Sequence, residues 1–352
     1  MESKDSEDVH KMVLSPSTID LAAKPLRIWK PDMSRMEEDG AEDIEAVGRA
    51  LLLDAHEFAQ TNGTMDGIDL GHCEAKYITS AVVLGLAGIA TRIQELFLVA
   101  GLKVGELSPL LISPLGSQTL KTLRLTMGAR SIDGLMSTVA ACCPSLEEFQ
   151  LFRDFEVDEE KEEREEEEEE EGEEQRWRTE VKEVALLLSK LKSLRIMSLN
   201  HIRFDDSLEA KEGLMADGSE SSLKGLALGD CIFGDSLLHI ITASRSLIYL
   251  DIINGADKNF EGMEYTFKSR AEPIEGGGDG GRGVSDVISI VGERCGNLKN
   301  LSLINAGVGD VDMKALASYF PNLTRLAVGD ECLEVTGVAS GFLSQPAYWI
   351  SW

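Results

Sequence analysis

Apolar residues recur at positions 1, 4 and 6 of a short window along most of the chain. The windows are Met65–Ile68–Leu70, Ile93–Leu96–Leu98, Leu120–Leu123–Leu125, Leu146–Phe149–Leu151, Leu194–Met197–Leu199, Leu223–Leu226–Leu228, Leu247–Leu250–Ile252, Leu298–Leu301–Leu303 and Leu323–Leu326–Val328. Their starts lie 28, 27, 26, 48, 29, 24, 51 and 25 residues apart. Both long intervals hold a segment of distinct composition, a glutamate run at 156–176 and a stretch at 257–283 that contains EGGGDGGRG. With these set aside as insertions, nine units share a period of about 26 residues, inside the roughly 20–29 residues of leucine-rich repeats. Side chains alternate across an extended backbone, so each window predicts a short strand with one face buried.

The remainder of each unit carries a helical stripe. After Leu298–Leu303, the residues Met313, Leu316, Ala317 and Phe320 fall at helical spacing, and the segment SLLHIITASRS follows Leu223–Leu228 in the same way. One strand and one helix bury too little to fold alone, whereas stacked units share a continuous core with strands on the concave side and helices on the convex side. The fold class is therefore α/β, a single-domain, right-handed solenoid of about nine repeats spanning residues 61–345. Ahead of it, Ile44, Val47, Leu51, Ala55 and Phe58 mark an amphipathic helix within 37–60, expected to cap the open end. Residues 1–36, with Pro16, Pro25 and Pro31 and little periodicity, read as a flexible arm, and 346–352 as a C-terminal tail.

The turns carry a resemblance. Cys143-Pro144-Ser145-Leu146, Cys295-Gly296-Asn297-Leu298 and Phe320-Pro321-Asn322-Leu323 lead into strands, Leu226-Ala227-Leu228-Gly229-Asp230-Cys231 leaves one, and Gly234-Asp235 and Gly309-Asp310 stand where helices begin. Over residues 60–340 the chain resembles the cysteine-containing, ribonuclease-inhibitor-like leucine-rich repeats found in F-box proteins, the substrate receptors of cullin ubiquitin ligases. The resemblance implies a protein-binding solenoid and, in its narrowest form, a ligase adaptor as a second partner. Residues 1–60 lack the Leu-Pro-led helical pattern of an F-box.

Charge narrows the function classes. The chain has 352 residues, 34 Lys+Arg against 62 Asp+Glu, and a net charge of −28. The segment Glu156–Glu174 alone carries −13, which leaves −15 for the rest. Such a surplus of acids repels a polyanion, so nucleic acid is not the expected partner. A run of like charge does not repay its ordering entropy, so the insertion at 156–176 is expected to be disordered, with Trp177 re-anchoring the chain. The longest uncharged apolar stretch, Ala81–Ala90, is half the length a bilayer requires, and no membrane span is expected. The acidic amino terminus lacks the cationic start of a secretory signal, and the six cysteines form no CxxC pair. A reducing compartment, cytoplasm or nucleus, fits this pattern.

No catalytic, metal or cofactor constellation emerges. The five histidines are dispersed, and His72-Cys73, adjacent on one strand end, should point apart. Cys73 and Cys231 each follow a strand by three residues, and Cys142 and Cys143 close a helix; all four read as packing residues. The spacing Gly276-x-Gly278-x-x-Gly281 matches a dinucleotide fingerprint in letters only, since no strand leads into it, and it reads as a flexible loop.

The concave face remains as the functional surface. Alternation turns positions 3, 5 and 7 of each window away from the core. This places Phe97, Arg124, Gln150, Phe152, Tyr249, Asp251, Ile253, Asn300, Ser302, Ile304 and Arg325 on one face, where aromatic and arginine side chains resemble the anchors of protein interfaces. The expected function is that of a non-catalytic, monomeric scaffold holding a protein partner, without a cofactor. A substrate-recognition subunit of a cullin-type ligase is its most specific version. The alternatives are a GTPase regulator resembling the Ran GTPase activators, whose acidic segment instead follows the repeats, and an acidic histone-binding nuclear protein. Deleting Glu156–Glu174 is expected to leave the cooperativity of unfolding, read as the urea m-value, unchanged; loss of the transition would show that the run is structural.

Overall fold

The computed structural model describes residues 26–34, 43–90, 92–112, 118–127, 132, 134–153, 178–205, 221–229, 231, 237, 244–253, 284–304, 310–328 and 348–350. Its elements run β1 (Ile28–Trp29), α1 (Ile44–Asn62), β2 (Gly67–Leu70), α2 (Ser80–Ile89), β3 (Glu95–Ala100), α3 (Val104–Ile112), β4 (Thr122–Met127), α4 (Leu135–Cys142) and β5 (Glu148–Arg153). They continue with β6 (Arg178–Glu180), α5 (Val181–Lys190), β7 (Ile196–Asn200), β8 (Arg203–Asp205), β9 (Gly225–Gly229), β10 (Tyr249–Ile253), α6 (Val284–Arg294), β11 (Asn300–Ile304), α7 (Asp310–Tyr319), β12 (Arg325–Val328) and β13 (Tyr348–Ile350). Eleven strands form one sheet in chain order, β6 and β8 pairing separately beside it. Every pair in the large sheet is parallel. A parallel neighbour requires a crossover, and the described helices supply it on the opposite layer for seven of the ten neighbouring pairs. The chain is a leucine-rich-repeat solenoid.

The ladder keeps one register throughout. Ile68, Leu96, Leu123, Phe149, Met197, Leu226, Leu250, Leu301 and Leu326 stand opposite one another from β2 to β12, and so do Leu70, Leu98, Leu125, Leu151, Leu199, Leu228, Ile252, Leu303 and Val328. These rows, apart from the half-buried Val328, are buried with the helical residues in one hydrophobic cluster that runs from Trp29 to Leu326. Helices need about 10 Å between axes and strands about 4.8 Å, so the stack bends with the sheet on its inner side.

Hydroxyls ahead of the strands tie one turn to the next. Thr119 donates to the carbonyl of Ile93 at 2.8 Å, Ser222 to Leu194 at 2.8 Å and Ser246 to Leu223 at 2.9 Å. Asn322 donates to Gly296 at 3.0 Å. Each bond satisfies a turn carbonyl that the parallel ladder leaves open. The turn cysteines are filled in as expected: Cys73 and Cys231 are buried, and the Cys231 thiol donates to the carbonyls of Leu199 and Gly229, both at 3.3 Å.

Both ends correct the sequence reading. Within the arm expected to be flexible, Ile28–Trp29 pairs in parallel with Gly67–Ile68, and Trp29 is buried, its indole Nε1 donating to Asp54 Oδ2 at 2.8 Å. Two residues without a leucine triad give no periodic signal, yet a buried tryptophan supplies the contact area. Asp43 caps α1 by accepting from the amides of Glu45 and Ala46, and Gly63 ends it at φ 73°. Val47, Leu51 and Ala55 are buried and Phe58 partly so, whereas Ile44 is exposed. The helix lies beside α2, where Gly48 meets Val82 and Gly85 meets Leu52 closely. The terminal unit is thus a strand and a helix rather than a capping helix alone. At the other end Tyr348–Ile350, expected as a tail, extends the ladder beside β12. The two insertions, 156–176 and 257–283, and Trp177 lie outside the described residues, and the chain is described again at β6 and α5. Trp29→Ala is expected to cost about 3–5 kcal/mol in urea denaturation, the range for truncating a buried aromatic; a change near zero would return this segment to a detached arm.

Candidate functional site

The concave residues stand in the same register as the core rows. Asp69, Phe97, Arg124, Gln150, Ser198, Ala227, Asp251, Ser302 and Ala327 oppose one another at position 5 from β2 to β12. Tyr249, Asn300 and Arg325 are neighbours at position 3, and Ile253 and Ile304 at position 7. Phe152, at position 7 of β5, lies opposite Thr126. Exposure differs along this face. Phe97, Arg124, Phe152, Tyr249, Ile253, Asn300, Ser302 and Ile304 are half-buried and Arg325 is exposed. Gln150 and Asp251 are buried, at 6% and 5% exposure, so they form floor rather than rim. Strands about 4.8 Å apart let flanking side chains close over a short residue in the middle row.

Two clusters organise the face. In the amino-terminal one, the Arg124 guanidinium lies over the Phe97 ring, 4.6 Å from its centroid. Its Nε and Nη2 donate to Glu148 Oε1 at 3.2 and 2.8 Å, and Gln150 Nε2 donates to the same oxygen at 2.7 Å. Arg124 is therefore held flat between an aromatic face and a carboxylate, which reduces the entropy it would lose on meeting a partner. Burial raises the Glu95 carboxyl above its ordinary value; Arg124 opposes the rise and Glu148 adds to it. Glu148 was not singled out by sequence. The position-3 rule that gave Tyr249, Asn300 and Arg325, carried to the window at Leu146, would have found it.

In the carboxy-terminal cluster, the Tyr249 hydroxyl donates to Asp251 Oδ2 at 3.4 Å, the long limit of a hydrogen bond. Asp251 Oδ1 is buried and has no hydrogen-bond partner. Burial raises the Asp251 carboxyl above its ordinary value, with Ser302 and Tyr249 working against it. The Tyr249 phenol is raised too, first by burial and then by Asp251. These groups suit recognition: a stacked arginine, half-buried aromatic and branched side chains, and an acceptor with unmet capacity.

Other chemistry is sparse here. Among the described residues no three His, Cys, Asp or Glu side chains gather to hold a metal ion, and no helix is long and apolar enough to cross a membrane. Burial pushes the thiols of Cys73 and Cys295 up to about 11 and that of Cys143 to about 12, so they stay protonated at neutral pH. His72 and Cys73 lie in the turn after β2 rather than on a strand end, His72 exposed and Cys73 buried.

No protein-family model and no curated protein matches the sequence. Among solved structures, the leucine-rich repeat-containing protein LegL7 from Legionella pneumophila aligns over 87% of this chain and 87% of its own, at 13% identity and a TM-score of 0.43. A chain of the yeast Rad7 and Elc1 complex aligns over 87% and 95%, at 12% identity and a TM-score of 0.33. A chain of the TLR13–ssRNA13 complex aligns over 80% and 42%, at 11% identity and a TM-score of 0.29.

Asp251 sets a pH dependence. Its folded-state pKa lies above the unfolded one, so between the two values the native state holds the proton that the unfolded state has lost. Its contribution to stability is therefore highest at acid pH and declines as pH rises through the folded pKa. The stability of Asp251→Asn minus that of the wild type, from urea midpoints, is expected to grow from pH 4 to pH 7. A difference that is flat or shrinks over that window would contradict the burial.

Proposed function

We propose that the chain is a non-catalytic scaffold that holds a protein partner on the concave face of its sheet. One observation carries the reading. The core face of the strands is consumed by leucine rows, yet the same strands leave Phe97, Phe152, Tyr249, Ile253 and Ile304 half-buried on the other side, amid Arg124, Asn300 and Arg325. A face that only met water would have little use for them, and side chains of these types anchor protein interfaces. The narrower role within this reading is substrate recognition for a cullin-type ubiquitin ligase. In that role α1 belongs to the helix layer beside α2, so an adaptor would dock on another segment.

Affinity capture from the native cell with the full chain, followed by mass spectrometry, tests the proposal. Phe152→Asp combined with Ile304→Asp is expected to lower recovery of the partner by about tenfold or more, as loss of hot-spot residues does. Leu84→Asp, on the exposed side of α2, should leave recovery intact. Equal recovery with the concave variant would overturn the reading. A cullin with its adaptor among the captured proteins selects the ligase role; a small GTPase, or core histones that dissociate at moderate salt, selects the alternatives.

A further inference from the structure

Strand β9 differs from every other described strand between β3 and β12. Its concave residues are Gly225, Ala227 and Gly229, so it presents nothing larger than a methyl group. On one side stand Ile196, Ser198 and Asn200 of β7, and on the other Tyr249, Asp251 and Ile253 of β10, each directly opposite its partner on β9. The result is a trough one strand wide, with walls roughly 10 Å apart between backbones. A Cβ placed on Gly225 would meet nothing closer than Ile196 Cγ1 at 3.8 Å and Tyr249 Cβ at 3.9 Å, ordinary van der Waals contact on both sides, so this end takes one carbon between its walls. At the other end the Asn200 carboxamide lies over Gly229, its Nδ2 3.1 Å from the position a Cβ would take.

The trough is apolar along its floor, and its polar groups stand on the walls. Two acceptor oxygens on opposite walls, Asp251 Oδ1 and Asn200 Oδ1, are buried and lack a hydrogen-bond partner. Leaving a buried acceptor unpaired is costly, and more so for a charged one. Asp251 meets the hydroxyls of Ser302 and Tyr249, and the Tyr249 hydroxyl reaches the other carboxylate oxygen at 3.4 Å, a contact weak enough to be displaced. Asp251 is the single charged side chain on the two walls and floor.

We propose that this trough receives an arginine side chain from an extended segment of the partner. The methylene stem would lie along Gly225 and Ala227 between Ile196 and Tyr249, and the guanidinium would give its N–H donors to Asp251 and Asn200. A guanidinium suits two acceptors on separate walls because it carries five donors in a fixed plane, and its charge complements the lone carboxylate. The assignment rests on the concave-face reading above and specifies the chemistry of its partner.

The test uses the full chain and two heptapeptides of serine and threonine, one with a central arginine and one with citrulline, which keeps the shape and removes the charge. By fluorescence anisotropy the arginine peptide is expected to bind roughly tenfold more tightly, the scale of a hydrogen bond to a charged group. That preference should vanish in Asp251→Asn and fall in Gly225→Ala, whose added methyl fits the fold yet narrows the trough. Glu45→Gln, an exposed acid on α1, controls for net charge and should keep the preference. No preference in the wild type, or a preference that survives Asp251→Asn, overturns the assignment and leaves a bridging water as the partner of Asp251. The concave-face reading fails separately: partner capture insensitive to Phe152→Asp with Ile304→Asp would remove that, whatever the peptides show.

Discussion

Register is the constraint on which the rest of this molecule depends. Because side chains alternate at every residue, a strand shifted by one position would carry its leucines to the concave side and its polar residues into the core. Each of the nine strands in this register turns two apolar side chains inward at positions 4 and 6, and exposing a buried one would cost roughly 2 kcal/mol. The parallel ladder passes that penalty from neighbour to neighbour, so nine strands hold one frame without a slip. The concave surface is the other consequence of the same frame. Its rows at positions 3, 5 and 7 are aligned because the core rows are.

This is why so much of the fold was legible in the sequence. A leucine triad recurring every 26 residues or so states the strand, its buried face and its successor together, and the inserted segments announce themselves by composition. The helix at 310–319 and the turn cysteines followed from the same frame. What escaped was non-periodic. Ile28–Trp29 is two residues long, and it is held by the partners β2 and Asp54 rather than by any pattern of its own. The Ser and Thr hydroxyls that join turn to turn, such as Ser246 to Leu223, are ordinary loop residues until the spacing of the stack brings a carbonyl within reach.

The candidate site was legible in outline only. Alternation assigned Gln150 and Asp251 to the correct face, but alternation says nothing about depth. Depth depends on side chains one strand away, which lie about 25 residues off in sequence, or some 50 where an insertion intervenes. Asp251 sinks because Tyr249 stands beside it and Ser302 opposite. Glycines and small residues were passed over for a related reason. A search for anchors looks for what a strand presents, whereas the trough over β9 is made by what that strand omits.

The charge of the chain and the charge of its concave face follow separate rules. Positions 3, 5 and 7 of the described strands β2 to β12 carry four acids, Asp69, Glu95, Glu148 and Asp251, and two arginines, Arg124 and Arg325. Asp69 faces Lys30 at 3.4 Å and Glu148 is bound by Arg124, so much of this charge is already answered within the chain. The large negative total therefore sets the long-range field, which screens over about 10 Å at ordinary salt, and it favours approach of basic partners in general. Discrimination among them falls to short-range groups: the stacked Arg124 against Phe97, the branched residues at position 7, and a carboxylate with one oxygen unmet. A partner selected by charge alone would be released by moderate salt, whereas one that also fills the apolar and hydrogen-bonding positions of this face would remain.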